Sequence, residues 1–201
     1  MNKLRSLSLA FLCGFVSASL FGVAHAGPDF YVYDGDGTVT DFTTGLMWEM
    51  ALPNTDSRCT GPAPDVRCVQ NSYTWSSSGN YIAADGTLFT VFLATLNGGD
   101  YFSPSAGVVL NLAPGTCFVR HCDWRIPTIV ELQGILLAPC PGGLSTCIAK
   151  IFGPTQPSYY WSNSSMALSP NDAWIVNFNN GGFDYDFKND AHYVRAVRRA
   201  W

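Results

Sequence analysis

Apolar and polar positions alternate with a period of two at both ends of this chain and with a helical period in the middle. Residues 31–33 and 38–42 read as two strands around Asp34-Gly35-Asp36-Gly37, a hairpin turn sequence. Leu88, Val91, Phe92, Thr95 and Leu96 fall on one face of a helix over 87–97, which Asn97-Gly98-Gly99 stops. A second helix starts at Thr128, where Glu131 completes a capping box. Leu132, Ile135 and Leu136 supply its apolar stripe, and Pro139 ends it. Residues 53–68 and 98–118 hold Pro and Gly and read as loop.

The last third is β. Trp174, Val176 and Phe178 share one face of a strand over 173–178, and Asn179-Asn180-Gly181-Gly182 is a turn. Phe183, Tyr185 and Phe187 then alternate with Asp184, Asp186 and Lys188, and a third strand runs over 193–198. The expectation is an antiparallel three-stranded meander with one apolar and one polar face. Helices in the middle and strands at both ends make an α+β domain, with paired terminal strands bringing the ends together.

Residues 1–26 have the pattern of a signal peptide: Lys3 and Arg5, an uncharged apolar stretch, then Ala24-His25-Ala26. No later stretch is long enough to span a bilayer as a helix. This predicts an exported protein (periplasmic, cell-surface or extracellular) with one domain over 27–201. Only 13% of residues are charged and 14% are aromatic, a balance opposite to that of a disordered chain. The net charge of −4 falls to −6 when Lys3 and Arg5 leave with the signal, which disfavours nucleic-acid partners.

Cysteine usage fits that compartment. Cys13 lies in the signal and six cysteines remain, an even number that implies disulfides. Their spacing suggests three local pairs: Cys59–Cys68, Cys117–Cys122 and Cys140–Cys147. Loops this short contribute about 2–3 kcal/mol each, so the core must do most of the folding. No Cys-x-x-Cys occurs, which disfavours zinc.

Four ordered blocks then carry a resemblance: Gly35-Asp36-Gly37-Thr38-Val39-Thr40-Asp41 with Thr44-Gly45-Leu46-Met47-Trp48; Cys122-Asp123-Trp124-Arg125-Ile126-Pro127-Thr128 with Glu131-Leu132; Tyr160-Trp161-Ser162; and Ala173-Trp174 with Tyr193-Val194-Arg195-Ala196-Val197-Arg198. In this order they resemble the Lcl C-terminal domain family, named for a bacterial collagen-like adhesin. The resemblance implies an exported bacterial protein with a C-type-lectin-like fold, the kind shared with formylglycine-generating enzymes. In the namesake adhesin this domain binds sulfated polysaccharide and host surface. The chain differs in carrying a longer, loop-rich insert over residues 50–118.

Candidate chemistry is sparse. Asp34, Asp36 and Asp41 crowd one hairpin and could suit calcium, although no distal bidentate Glu accompanies them. An Asp123–Arg125 pair would hold the preceding loop onto the second helix, and Trp48, Trp124, Trp161 and Trp174 read as core. Arg195 and Arg198 lie three apart on a strand and so point to opposite faces, the inward one pairing with a carboxylate. Cys122 beside His121 has a partner in Cys117, and no Gly-x-Ser-x-Gly, His-Glu-x-x-His or phosphate loop occurs. No cysteine follows Cys147, so formylglycine-generating chemistry is not expected. Sugar ligands need planar polar side chains and an aromatic platform. Asn163, Asn171, Asn177, Asn179, Asn180, Asp184, Tyr185 and Asp186 offer these on the meander. The expectation is a non-enzymatic, cofactor-free domain that recognises carbohydrate or a surface protein. The alternative is a structural component of an envelope or extracellular assembly.

Overall fold

A computed structural model describes residues 30–77, 81–99, 101–103, 108–110, 116–141 and 145–201, with backbone alone at 101–103 and 108–110. The expected signal segment lies outside the described residues. The strands are β1 (Tyr31–Tyr33), β2 (Thr38–Asp41), β3 (Leu46–Glu49), β4 (Tyr73–Thr74), β5 (Tyr101–Ser103), β6 (Val108–Leu110), β7 (Tyr159–Met166), β8 (Ser169–Asn177), β9 (Phe183–Phe187), β10 (Ala191–His192) and β11 (Val197–Arg199). Helical segments are α1 (Ser57–Thr60), a π-helix (Leu88–Leu93) running into α2 (Ala94–Leu96), and α3 (Ile129–Gly134). The architecture is α+β, with antiparallel sheets, few helices and three disulfides.

The expected hairpin forms: β1 pairs β2 around Gly35 and Gly37, whose φ of +87° and +96° glycine adopts without strain. β11 pairs β3, so the first and last strands share one sheet, but in the order β1-β2-β3-β11 they form its two edges and do not pair with each other as expected. The capping box at α3 is also present, with Thr128 Oγ1 accepting from the Glu131 amide and the Glu131 carboxylate accepting from the Thr128 amide. All three disulfides pair as the spacing suggests.

The meander differs from expectation. Its sheet is ordered β7-β8-β9, and residues 193–198 are not its third strand. The chain leaves the sheet after Phe187 because Lys188 turns inward. Its Nζ donates to the Pro170 carbonyl at 2.7 Å and sits 4.1 Å over the Trp75 ring, while its own carbonyl accepts from the Trp75 and Ser76 amides. β10 then pairs β4 of the insert, and β11 goes to the other sheet.

β8 is buried on both faces over part of its length. Ala173 and Ile175 enter one core with Trp124, Trp161 and the insert residues Trp75, Leu88, Phe92 and Leu96. Val176 enters a second core with Tyr31, Val39, Trp48, Leu132, Ile135, Phe152, Tyr160 and Phe178. The insert is therefore a wall of the first core as well as a loop. Trp75 Nε1 donates to the Ser162 carbonyl at 3.1 Å and Trp161 Nε1 to the Tyr73 carbonyl at 2.8 Å, which locks insert and sheet together.

Candidate binding surface

Register places Asp172, Trp174 and Val176 of β8 on the same face as Phe187, Tyr185 and Phe183 of β9. Helix α3 covers the Val176 end through Leu132 and Ile135. Beyond that cover the aromatics stand in solvent: Phe183 is 59%, Tyr185 46% and Phe187 58% exposed. Trp174 is only half-buried, its ring 6.0 Å from Phe183 and 5.8 Å from Tyr185, the latter edge-on at 84°. Two sequence expectations are corrected here. Trp174 is not a core residue, and the apolar face of β9 is not an inner face. β9 is the last strand of its sheet, and nothing among the described residues packs over its outer half.

Next to this strip a groove of about 370 Å³ runs between α3 and the β8–β9 turn, lined by Val130, Leu136, Asn180 and Phe183. A second groove, about 720 Å³, lies on the other flank of α3 between Val130, Phe42, Arg199 and Trp201. Val130, on the ridge between the two grooves, is 72% exposed, and Trp201 and Phe42 lie 6.1 Å apart at the far end. Sequence reading missed Phe42, Val130, Phe183, Phe187 and Trp201 as surface residues.

The eight expected ligand residues do not share a face. Asn171, Asn177, Asp184 and Asp186 take the parity of Ala173 and Ile175, opposite Tyr185. Asp186 Oδ2 lies 2.9 Å from His192 Nε2. In the turn, Asn177 Oδ1 accepts from the Asn179 amide and Asn180 Oδ1 from the Gly182 amide, both at 2.9 Å, so these amides shape the turn. Asn163 is exposed on β7, its backbone amide donating to the Pro127 carbonyl. Of the eight, Asn180 and Tyr185 adjoin the aromatic strip and its groove.

Two of the three hairpin carboxylates meet on one hydroxyl, and the third stands apart. Asp34 Oδ2 accepts from the Thr40 hydroxyl at 2.9 Å, and the Thr38 hydroxyl lies 2.9 Å from Asp34 Oδ2 and 2.7 Å from Asp36 Oδ1. Asp41 is at the other end of β2, where it accepts from the Thr43 amide at 2.8 Å and the Thr44 hydroxyl at 2.7 Å. Asp34 and Asp36 thus brace one turn together, and Asp41 caps another. Among the described residues no group of three or more acidic, His or Cys side chains is placed to hold a metal ion.

Arginine partners also differ from expectation. Arg125 grips Glu131, not Asp123, with Nη1 and Nη2 at 2.8 and 2.6 Å from the carboxylate. Burial pushes Glu131 up, but Arg125 and Thr128 outweigh it and hold the carboxyl below its ordinary value. Asp123 instead accepts from Arg198 Nε at 2.8 Å, which lowers its pKa. Arg195 is wholly buried, and it donates to the carbonyls of Glu49, Phe152 and Pro154 at 3.0–3.2 Å, with no direct carboxylate partner among the described residues. The nearby carboxylate of Glu49 is buried too. Burial pushes its pKa to about 7 against the pull of Arg195 and Arg67.

These features define an α+β domain, stapled by three local disulfides, that presents aromatic side chains to solvent from an edge strand. The chain belongs to the Lcl C-terminal domain family, whose signature it matches over residues 37–198. No curated protein matches it. The family and the disulfides agree with an exported domain, and among the described residues no helix is long and apolar enough to cross a membrane.

Proposed function

We propose that this is an exported, non-enzymatic recognition domain on the C-type-lectin-like frame implied by its family, and that it binds carbohydrate on the aromatic face of β8 and β9. The observation that carries this reading is the exposed row of Phe183, Tyr185 and Phe187 with Trp174 beside it. Aromatic faces accept the apolar face of a sugar ring, and the Tyr185 hydroxyl and the Asn180 amide stand next to it for sugar hydroxyls. All six cysteines of the domain are in disulfides, which leaves no thiolate for chemistry.

The ligand is a neutral glycan. In the basic cluster near the C-terminus, Arg195 is buried and Arg198 is tied to Asp123, so Arg199 alone of the three offers a free charge in an acidic protein. One such charge makes a weak and salt-sensitive anion site. Heparin should therefore bind feebly at physiological salt.

A glycan array probed with the disulfide-intact protein tests the reading. Neutral glycans should bind, and Tyr185→Ala should weaken them at least tenfold while the fold is kept. Glycan signals indifferent to Tyr185→Ala would overturn it. So would an array without binding together with self-association that Tyr185→Ala abolishes, which would make this face an assembly contact.

A further inference from the structure

A pocket of about 320 Å³ opens in the insert and shares no residue with the aromatic strip, with Ala63, Pro64, Val66, Leu96 and Phe118 as its apolar walls and Arg67 along one side. Val66 and Leu96 are buried core residues, so the floor of the pocket is the outer skin of the first core. Two of the three disulfides hold its walls. Cys59–Cys68 ties the segments carrying Arg58 and Arg67, and the Cys117–Cys122 loop carries Phe118.

The Phe118 wall is held at a cost. Val119 and Arg120 follow it at φ +47° and +65°, a left-handed pair that is disfavoured for any side chain and most of all for β-branched valine. Trp124 Nε1 donates to the Phe118 carbonyl at 3.2 Å, the two rings lie 5.4 Å apart, and the Arg67 guanidinium sits 4.3 Å over the Phe118 ring. A disulfide, a hydrogen bond and two ring contacts hold this wall in place without a ligand, which lowers the ordering cost of binding.

Charge selects the class of ligand. Arg67 is bound in bidentate fashion by Asp65 at 3.1 and 2.9 Å, and Arg58 by Asp56 at 2.9 and 2.8 Å, so both cations at the rim are already neutralised. The Thr95 hydroxyl donates to the Val91 carbonyl at 2.7 Å. An anion would meet the Asp65 and Asp56 carboxylates beside these cations, whereas a neutral ring meets no such repulsion. A dry cavity of about 150 Å³ holds a benzene ring, so this pocket has room for two linked rings. We propose that the insert pocket is a second binding site, independent of the glycan face, for a small neutral aryl molecule.

The probe is N-phenyl-1-naphthylamine, neutral and fluorescent when it leaves water, titrated into the full disulfide-bonded protein. Saturable binding is expected, displaced by indole and weakened at least tenfold by Ala63→Trp, which fills the pocket from its rim. Shift mapping by NMR on the unmutated protein should place the perturbed amides around Val66, Leu96 and Phe118, and this reading stands even if the variant folds poorly. No saturable binding up to the solubility limit of the probe would overturn the proposal. So would binding that survives Ala63→Trp, or shifts confined to the β9 strip.

Discussion

The β7-β8-β9 sheet carries aromatic residues on both faces, and the two sets end in opposite places. On the Ala173–Ile175 face, Trp161 is wholly buried because the insert lies over it, with Trp75, Phe92 and the carbonyl of Tyr73 in contact range. On the other face, α3 covers only the Val176 end, and Phe183, Tyr185 and Phe187 stay in solvent. Both sets would read as core from alternation alone. What separates them is whether another element lies on top, and that is a property of topology. A row of exposed aromatics on an edge strand runs against the usual protection of edges, which makes it the strongest sign of a binding face in this molecule.

The sharpest way to break this comparison is to remove one aromatic from each face. Trp161→Ala should destabilise by about 3–5 kcal/mol, since it empties a packed site and removes the indole hydrogen bond to the Tyr73 carbonyl. Urea denaturation measures it. A loss no larger than that of a surface change would mean that the insert does not cover the sheet as described.

The insert also decides what surrounds Glu49. Arg67 and Asp65 come from it and Arg195 from the C-terminal segment, yet burial dominates and raises the pKa from 4.5 to about 7. An acid with a raised folded value is most favourable to the fold when protonated in both states, below about 4.5. Its contribution is lost as pH rises toward 7, because the unfolded chain releases its proton first. Glu49→Gln should remove this slope. The variant should gain about 3 kcal/mol on the natural protein between about pH 4 and pH 8, since each tenfold difference in proton affinity between the folded and unfolded chains is worth about 1.4 kcal/mol. Parallel stability curves for the two proteins would contradict it.

The local elements are legible in the sequence, while the partners across the fold are not. The hairpin, the capping box and the three short disulfides are each specified within about ten residues, so spacing and residue type suffice. Strand β7 is hidden because Asn163, Ser164 and Ser165 break the apolar alternation where the strand bulges against β8. The partner of Arg125 is hidden for a related reason. Asp123 is nearer in sequence, but the capping box already holds the Glu131 carboxylate in place for Arg125, and Asp123 faces β11. A double-mutant cycle should therefore show coupling for Arg125→Ala with Glu131→Ala and additivity with Asp123→Ala. The Arg125→Ala effect itself should be about 1 kcal/mol or less, as the side chain is 40% exposed.

The smallest effect on stability is expected at the residue on which the proposed recognition rests most. Tyr185 is 46% exposed, its ring meets Trp174 at an edge, and among the described residues its hydroxyl has no hydrogen-bond partner. Tyr185→Ala therefore strands no polar group and opens no cavity, and it should shift stability by within about 0.5 kcal/mol. A protein selected only to fold has no reason to keep three aromatics of β9 in water, where they favour aggregation. If Tyr185→Ala proves neutral for stability but weakens a neutral glycan at least tenfold, the two faces differ in purpose as well as in cover. If it costs several kcal/mol, the ring is buried in solution against something the fold supplies, and the contrast between the faces collapses.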